Sequence, residues 1–197
     1  MTLPLKYDCR KGIKQWLPLG NLNFGDCTVA AYLHVLMMHN LATTSSWEKL
    51  LYRIGFTPPT NKIAVEDYTA FLATLGERPS GTQGVDPGAF LTWRQSVGEI
   101  KGWMQLPAID SNSLREAMIQ YNGVMLSLEL TNRAYSTPMG RGPWVFLQGD
   151  TPNPMLGHEI AMVAYNNNLD FVITWGYMTG MTEEFATATV YAGYVFW

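Results

Sequence analysis

Cys27 is the residue of this sequence that is best placed to act as a nucleophile. It follows a glycine-containing loop at residues 20–26 and opens an apolar segment at residues 27–40. The backbone N–H groups and the dipole of a helix N-terminus stabilise a negative charge, so this position predicts a lowered thiol pKa. Gly25 would let a substrate backbone approach the sulfur closely. The alternative interpretation is that Cys27 is a small apolar residue packed at the start of a helix.

His158 is the candidate base for that thiol. A nucleophilic cysteine needs a group that takes its proton and later protonates the leaving group, and an imidazolium partner keeps the sulfur ionised. His158 follows Gly157, which leaves one side of the ring accessible, and it precedes an apolar run at residues 160–165. The alternative is a core histidine with an ordinary hydrogen bond. Glu159 should point to the opposite side of the strand, where we expect a salt bridge or a solvated position.

The order of these residues resembles that of the papain-like cysteine peptidases. That family has its Cys at the N-terminus of the central helix of a helical lobe, and its His and the orienting partner of that His come from a β-rich lobe. The resemblance assigns Cys27 and His158 to the two catalytic positions. The oxyanion-hole side chain of the family lies six residues before the nucleophile, where this sequence has Asn21. Its amide and the Cys27 backbone N–H would be the two donors, and Trp175-Gly176 resembles the Trp-Gly that shields the His pair.

The third catalytic residue departs from the family pattern, which has Asn at this position. Aligning on Trp175 brings Ile173 to the position of the Asn, whereas counting forward from His158 without a gap brings Thr174 there. A Thr hydroxyl can accept a hydrogen bond from the ring N–H and an Ile side chain cannot. We therefore predict that Thr174 orients the ring, with a backbone carbonyl as the alternative. Taken together, the motifs around Cys27, His158 and Trp175 also resemble those of a group of small papain-like proteins encoded by phages and bacteria.

Other residues near these positions have ordinary structural interpretations. Asp26 is expected to cap the helix that starts at Cys27. His34 lies two helical turns beyond Cys27, too far for direct proton transfer, so we expect a structural role. The connection before His158 contains three aromatic residues, Tyr135, Trp144 and Phe146. They either line a substrate groove or pack on the core.

The elements that must position these residues differ between the two halves of the chain. Apolar spacing and stop signals predict five helices. They run from residue 26 or 27 to about 40, from 46 to about 54, from 66 to about 75, from 86 to about 98, and from 111 or 113 to about 121. Strands are predicted at residues 124–130, 159–165, 169–175 and 188–196. The long Gly- and Pro-rich connection at residues 131–157 is expected to be functional or to hold short elements.

The pattern predicts an α+β protein with a papain-like fold. A helical N-terminal lobe (about residues 1–121) would pack on an antiparallel β-sheet C-terminal lobe (about residues 122–197), forming a single domain over residues 1–197.

Composition excludes several classes of protein. The 197 residues carry 13 Lys and Arg and a net charge of −3, and the basic residues are scattered, so we expect no nucleic-acid partner. The longest apolar runs are too short to span a membrane. Three His and two Cys at unsuitable spacings predict no metal, and no cofactor is expected. Without a signal-peptide pattern, we expect a protein of the host-cell cytoplasm with Cys9 and Cys27 as free thiols.

Two functions follow from this pattern. The first is a papain-like cysteine hydrolase of the peptidase, amidase or isopeptidase type, which cleaves a peptide or amide through an acyl-enzyme. The alternative is a catalytically inactive phage virion protein, a decoration or tail component of the same fold with capsid or tail proteins as partners. The missing Asn, the charged fraction of 15% and the apolar segment at residues 190–197 favour the alternative. The joint presence of Cys27, His158 and Asn21 favours the hydrolase.

Overall fold

The computed structural model describes residues 2–10, 13, 15–43, 59–79, 83–137 and 142–197. The predicted helix at residues 46–54 lies outside these ranges. The described part contains six helices: α1 (Cys27–Thr43), α2 (Asn61–Thr74), α3 (Pro87–Ser96), α4 (Ser111–Tyr121), α5 (Asn132–Ser136) and α6 (Glu183–Thr189).

Side-chain caps set where most of these helices begin. Five of them follow a residue whose side chain accepts a hydrogen bond from a backbone N–H of the first turn: Thr60, Asp86, Asp110, Thr131 and Thr182. The cap at Thr60 explains why α2 starts well before the predicted start at residue 66. Helix α5 lies in the long connection at residues 131–157, where the sequence left open the presence of short elements.

The strands form one antiparallel sheet. They are β1 (Tyr7–Asp8), β2 (Trp103–Gln105), β3 (Val124–Thr131), β4 (Pro152–Tyr165), β5 (Asp170–Thr174), β6 (Tyr177–Met181) and β7 (Val190–Phe196). Their order is β2-β7-β3-β4-β5-β6, and β1 pairs with the end of β4. The α+β class is therefore confirmed. The two halves are less strictly divided than predicted, because β1 and β2 precede residue 121 and α5 and α6 follow it.

Apolar side chains cover both faces of the sheet. Along β4, Ala161 and Val163 belong to the core cluster that includes α1, whereas Ile160 and Met162 belong to the cluster that includes α4 and α6. Because side chains alternate along a strand, residues 158 and 159 face opposite sides of the sheet, as predicted. Glu159 shares the face of Ala161, against which α1 packs.

The C-terminal strand is an interior strand. β7 pairs with β2 on one side and with β3 on the other, and Tyr191 is its one exposed residue. Residues 190–196 therefore do not form an open edge of the sheet, where another subunit could have paired with them. In the described ranges, no helix has the length and apolarity that a membrane crossing requires.

Candidate active site

Cys27 is the first residue of α1 and is half-buried. The turn before it is closed by the Gly20 carbonyl, which accepts hydrogen bonds from the N–H groups of Asn23 at 2.9 Å and Phe24 at 3.2 Å. Gly20 has φ of 89°, the left-handed region that favours glycine. The turn thus delivers the sulfur to the N-terminal end of a helix, where the sequence predicted it.

Contacts with the segment before α3 fix the start of α1. The Thr28 hydroxyl donates to the Val85 carbonyl at 2.8 Å. A Cβ on Gly25 would collide with the backbone of Gln83. Glycine at this position therefore serves close packing between two loops of the protein, which is a different reason from the substrate approach that the sequence suggested.

The acidity of the Cys27 thiol differs from the sequence-based expectation. Burial, followed by the charge of the nearby Glu159 carboxyl, raises the pKa of Cys27 to about 12. Hydrogen bonds from the backbone of Glu159 and Thr28 act in the opposite direction and are outweighed. The prediction of a lowered pKa considered the helix N-terminus alone. It did not include the carboxyl of Glu159, which the packing of β4 against α1 brings near the sulfur.

His158 is paired with Thr174. The His158 Nε2 lies 2.8 Å from the Thr174 Oγ1, and the two side chains are 6% and 2% exposed. Ile173, the other residue considered for this position, is buried in the core cluster on the α1 side of the sheet. Burial lowers the pKa of His158 to about 3, because a positive ring would lose its hydration there.

Trp175 covers the histidine ring. The two rings stack with centroids 4.4 Å apart and an interplanar angle of 14°. The turn that presents Trp175 has left-handed backbone at both residues, with φ of 46° for Trp175 and 82° for Gly176. A Cβ on Gly176 would collide with the backbone of Leu17 and Pro18, so this turn is held against the segment that leads to Asn21.

Cys27 and His158 are not joined by a hydrogen bond in the described part of the chain, where the hydrogen bond of the ring goes to Thr174. With the thiol pKa near 12 and the imidazole pKa near 3, both groups are neutral at pH 7. The thiolate–imidazolium pair expected from the sequence is therefore not the form this site favours.

Asn21 lines a cavity of about 450 Å³ next to these residues. The same cavity is lined by Trp175 and by the partly exposed aromatic side chains of Phe24, Tyr135 and Tyr177. Of the aromatic residues in the long connection, Tyr135 lines this groove, whereas Trp144 is 3% exposed and packs in the core. Neither Cys27 nor His158 lines the cavity, and Trp175, which stacks on His158, is the lining residue in contact with a predicted catalytic position.

Asp26 does not cap α1 as predicted. The residue is fully buried, and neither carboxylate oxygen has a hydrogen-bond partner among the described residues. One oxygen lies against Gly20, where a Cβ would collide with it, and burial raises the pKa of Asp26 to about 7. His34 has a structural role, since its Nε2 lies 3.0 Å from the Leu17 carbonyl oxygen.

The prediction for Glu159 was also wrong. We expected a salt bridge or a solvated side chain, but Glu159 is 6% exposed and forms no ion pair with any described residue. Burial raises its pKa to about 8. The available signal was the alternation of β4, which places Glu159 on the same face as the buried Ala161 and Val163.

Across the described ranges, His, Cys, Asp and Glu side chains form no group of three or more that could hold a metal ion. Neither Cys9 nor Cys27 forms a disulfide bond in the described part of the chain.

Solved structures of cysteine proteases share this architecture. Procathepsin L 3 from the larval midgut of Tenebrio molitor superposes with a TM-score of 0.62 at 15% identity, covering 98% of this chain and 70% of that one. Xylellain, a cysteine protease from Xylella fastidiosa, gives 0.60 at 12% identity, covering 99% and 86%. The Carica candamarcensis cysteine protease CMS1MS2, solved in complex with E-64, gives 0.57 at 13% identity, covering 98% of both chains.

Sequence comparisons add no relative to these structures. No protein-family model matches this chain, and the sequence search found no curated protein similar to it. Identities of 12–15% establish the fold and leave the activity to the residues of the site. The chain has the papain-like fold of these cysteine proteases.

Proposed function

We propose that this protein is a papain-like cysteine hydrolase that cleaves a peptide or amide bond. Cys27 is the nucleophile, His158 the base and acid, and Thr174 the residue that orients the ring. Asn21 and the backbone N–H of Cys27 are the donors to the oxyanion. The observation that carries this proposal is the buried contact of 2.8 Å between His158 Nε2 and Thr174 Oγ1 beneath the stacked Trp175.

That contact assigns different tasks to the two ring nitrogens. When Nε2 carries the proton and donates it to the Thr174 oxygen, Nδ1 has a free lone pair and is the nitrogen that accepts the thiol proton. Trp175 prevents the ring from turning away and excludes water from the hydrogen bond. A structural histidine would need the hydrogen bond, but it would not need a cysteine at the N-terminus of the helix that packs on the same strand.

The reaction then proceeds through an acyl-enzyme. The Cys27 sulfur attacks the carbonyl carbon while the thiol proton moves to Nδ1 of His158. The oxyanion collapses, the C–N bond breaks, and His158 gives its proton to the departing amine. Water, deprotonated by His158, attacks the thioester, and the released thiol recovers the proton. Because thiol and imidazole are both neutral before the reaction, proton transfer accompanies the attack in the first step.

An inactive protein of the same fold, such as a phage virion component, is the second candidate. The observation that favours it is the neutral state of Cys27 and His158, since active cysteine hydrolases depend on thiolate formation. The interior position of β7 removes the C-terminal contact surface that the sequence had offered in its support. We infer the hydrolase because the Thr174 contact and the covering Trp175 serve a base better than they serve a core histidine.

Covalent labelling tests the proposal before a substrate is known. We expect E-64, the compound bound in the Carica structure, to form an adduct on Cys27 and not on Cys9, the internal comparison. The adduct should be lost in His158→Ala and kept in Cys9→Ser. Hydrolysis of a mixed peptide library, followed by mass spectrometry, should show new products with the wild type and none with Cys27→Ala. Equal labelling of both cysteines, together with no peptide products, would overturn the proposed function.

A further inference from the structure

Glu159 lies where a charge would act on the candidate nucleophile. It follows His158 in β4, and its side chain shares a face with Ala161 and Val163, which pack in the cluster that includes α1. Cys27 is the first residue of α1. The backbone of Glu159 also acts on Cys27, since it lowers the pKa of the thiol that the carboxyl raises. One residue therefore presents a donor and a carboxyl to the same thiol.

No described cation offsets the Glu159 carboxyl. Its Oε2 is buried without a hydrogen-bond partner in the part of the chain that the structure describes. Ser127 lies directly opposite it on β3 and acts to lower the pKa of Glu159, but burial outweighs this effect. The other ionisable groups that act on it or respond to it are Cys27 on α1, Asp86 at the cap of α3, and Tyr191 and Tyr194 on β7. Each of these groups is neutral or becomes negative, so the pocket stabilises the protonated acid.

A buried site of this kind disfavours two negative charges side by side. When two acids share a low-dielectric space, the ionisation of one raises the pKa of the other, and their protons leave in separate steps. After burial, the Glu159 charge is the largest influence on the pKa of the Cys27 thiol, ahead of the charge of Asp26. Glu159 is the more acidic of the two partners, since its pKa is about 8 and that of Cys27 is about 12.

We propose that Glu159 and Cys27 hold at most one negative charge between them, so that Glu159 is a positioning residue that must stay protonated for Cys27 to ionise. For catalysis this rests on the proposed function, in which Cys27 is the nucleophile. The charge coupling itself concerns two side chains and holds whether or not the protein has a substrate.

The direction of the pH dependence follows from the order of ionisation. Below about pH 8, Glu159 is neutral and does not oppose formation of the thiolate. Above that pH it ionises, and the reactivity of Cys27 rises less steeply than that of an ordinary thiol. Removing the carboxyl should lower the pKa of Cys27 by about one unit or more, which gives about tenfold more thiolate, and therefore about tenfold faster alkylation, at a fixed pH near 10 or 11.

The test is the rate of alkylation of Cys27 by iodoacetamide, followed by mass spectrometry from about pH 6 to pH 11. We compare the wild type with Glu159→Gln, which keeps the shape and removes the charge. Glu129→Gln is the matched control, because Glu129 lies on β3 two residues beyond Ser127 and does not act on Cys27. Glu159→Gln should shift the Cys27 profile, while the Cys9 profile and the Glu129→Gln protein stay as in the wild type.

Two results would overturn the coupling. One is an unchanged Cys27 profile in Glu159→Gln, including no reaction in either protein. The other is an equal shift in Glu129→Gln, which would indicate a general effect of net charge. A measurement on the unmodified sequence guards against a variant that does not fold: the ¹³C signal of the Glu159 carboxyl should titrate near pH 8 while the Cys27 Cβ signal stays that of a thiol. Titration of Glu159 near its ordinary pKa would refute the proposal.

These outcomes are independent of the test of the proposed function. Alkylation and NMR need no substrate, so the coupling can hold in a protein that cleaves no peptide. Conversely, peptide cleavage that depends on Cys27 with an unchanged Glu159→Gln profile would support the hydrolase and reject the coupling.

Discussion

Replacing Thr174 by Val tests how the candidate base is held. The substitution keeps the branched shape and removes the oxygen that lies 2.8 Å from His158 Nε2. In the ground state a neutral ring can shift its proton to the other nitrogen. During attack His158 becomes positive, both ring nitrogens carry protons, and the N–H at Nε2 would face a methyl group. The lost interaction is therefore larger in the transition state than before it.

The magnitude follows from the burial of the pair. A hydrogen bond to a charged group contributes about 1.5–3 kcal/mol, and the 6% and 2% exposure of the two side chains leaves little room for water to replace it. Converted to a rate, this is a loss of about 10- to 150-fold. Thr174→Ser, which keeps the hydroxyl, should lose far less.

The assay is the second-order rate constant for modification of Cys27 by iodoacetamide at neutral pH, and peptide hydrolysis once a substrate is found. Thr179→Val is the matched control, because it removes a buried Thr hydroxyl that donates to the Gly142 carbonyl at 3.0 Å, on the neighbouring strand β6. A slow Thr174→Val protein beside a Thr179→Val protein of normal rate supports the assignment. If Thr174→Val reacts like the wild type while His158→Ala is slow, Thr174 does not orient the ring.

Three further predictions concern shielding, stability and pH. Trp175→Leu should raise the pKa of His158 by at least about one unit, because burial alone lowers it to about 3; ring titration by NMR checks this, with His34 as the unchanged reference. Arg115→Ala should reduce the free energy of unfolding in urea by about 3–5 kcal/mol, because it leaves Asp170 fully buried without its partner at 2.8 Å. Lys62→Ala, which removes an exposed pair at 3.7 Å, should cost less than about 1 kcal/mol, and equal losses would contradict the argument. The raised pKa of Glu159 means that the folded state holds this proton more tightly than the unfolded state. The contribution of Glu159 to wild-type stability should therefore be lost as pH rises from 4.5, the ordinary glutamate value, to about 8, by up to ~1.4 kcal/mol per pH unit. The lowered pKa values of His34 and His158 act in the opposite direction below their ordinary value of 6.5, so the Glu159 contribution is read as the difference between wild type and variant. Glu159→Gln should lack this part of the slope in thermal unfolding across that range, whereas the contribution of Asp26, whose pKa is raised to about 7, should remain in both proteins.

The elements of the fold that carry strong local signals were predictable. The apolar segment after Cys27 and the Asp86-Pro87 start of α3 are signals of this kind. The strands β1 and β2 were missed because segments of two and three residues show no alternation. Strand β6 was missed because it follows β5 after a tight turn at Trp175-Gly176, and its pairing depends on a partner that a local pattern does not display.

The contact between His158 and Thr174 was predictable from the sequence, whereas the electrostatics of the candidate site were not. The choice of Thr174 over Ile173 followed from hydrogen-bonding chemistry alone, and the structure places the Thr hydroxyl against the histidine ring. The acidity of Cys27 was not predictable in this way. It depends on a carboxyl that is distant in sequence and comes near through the packing of α1 on β4. A local feature such as a helix N-terminus makes one contribution to a pKa shift, and tertiary contacts can reverse the direction of the net shift.

The neutral state of the site links these observations. A hydrolase that starts from a thiolate would gain from a positive histidine, a low-pKa thiol and a strong acceptor behind the ring. This site has a buried imidazole, a half-buried thiol and the uncharged Thr174 oxygen, so no described partner stabilises separated charges before attack. The thiol and imidazole can still react if the proton moves as the carbon–sulfur bond forms, because charge then develops on an oxyanion, for which Asn21 is the proposed donor. A negative Glu159 beside the sulfur would oppose that step. The proposed hydrolase should therefore work best below the pH at which Glu159 ionises, and its rate should fall at higher pH, where a cysteine limited only by its own ionisation would become faster.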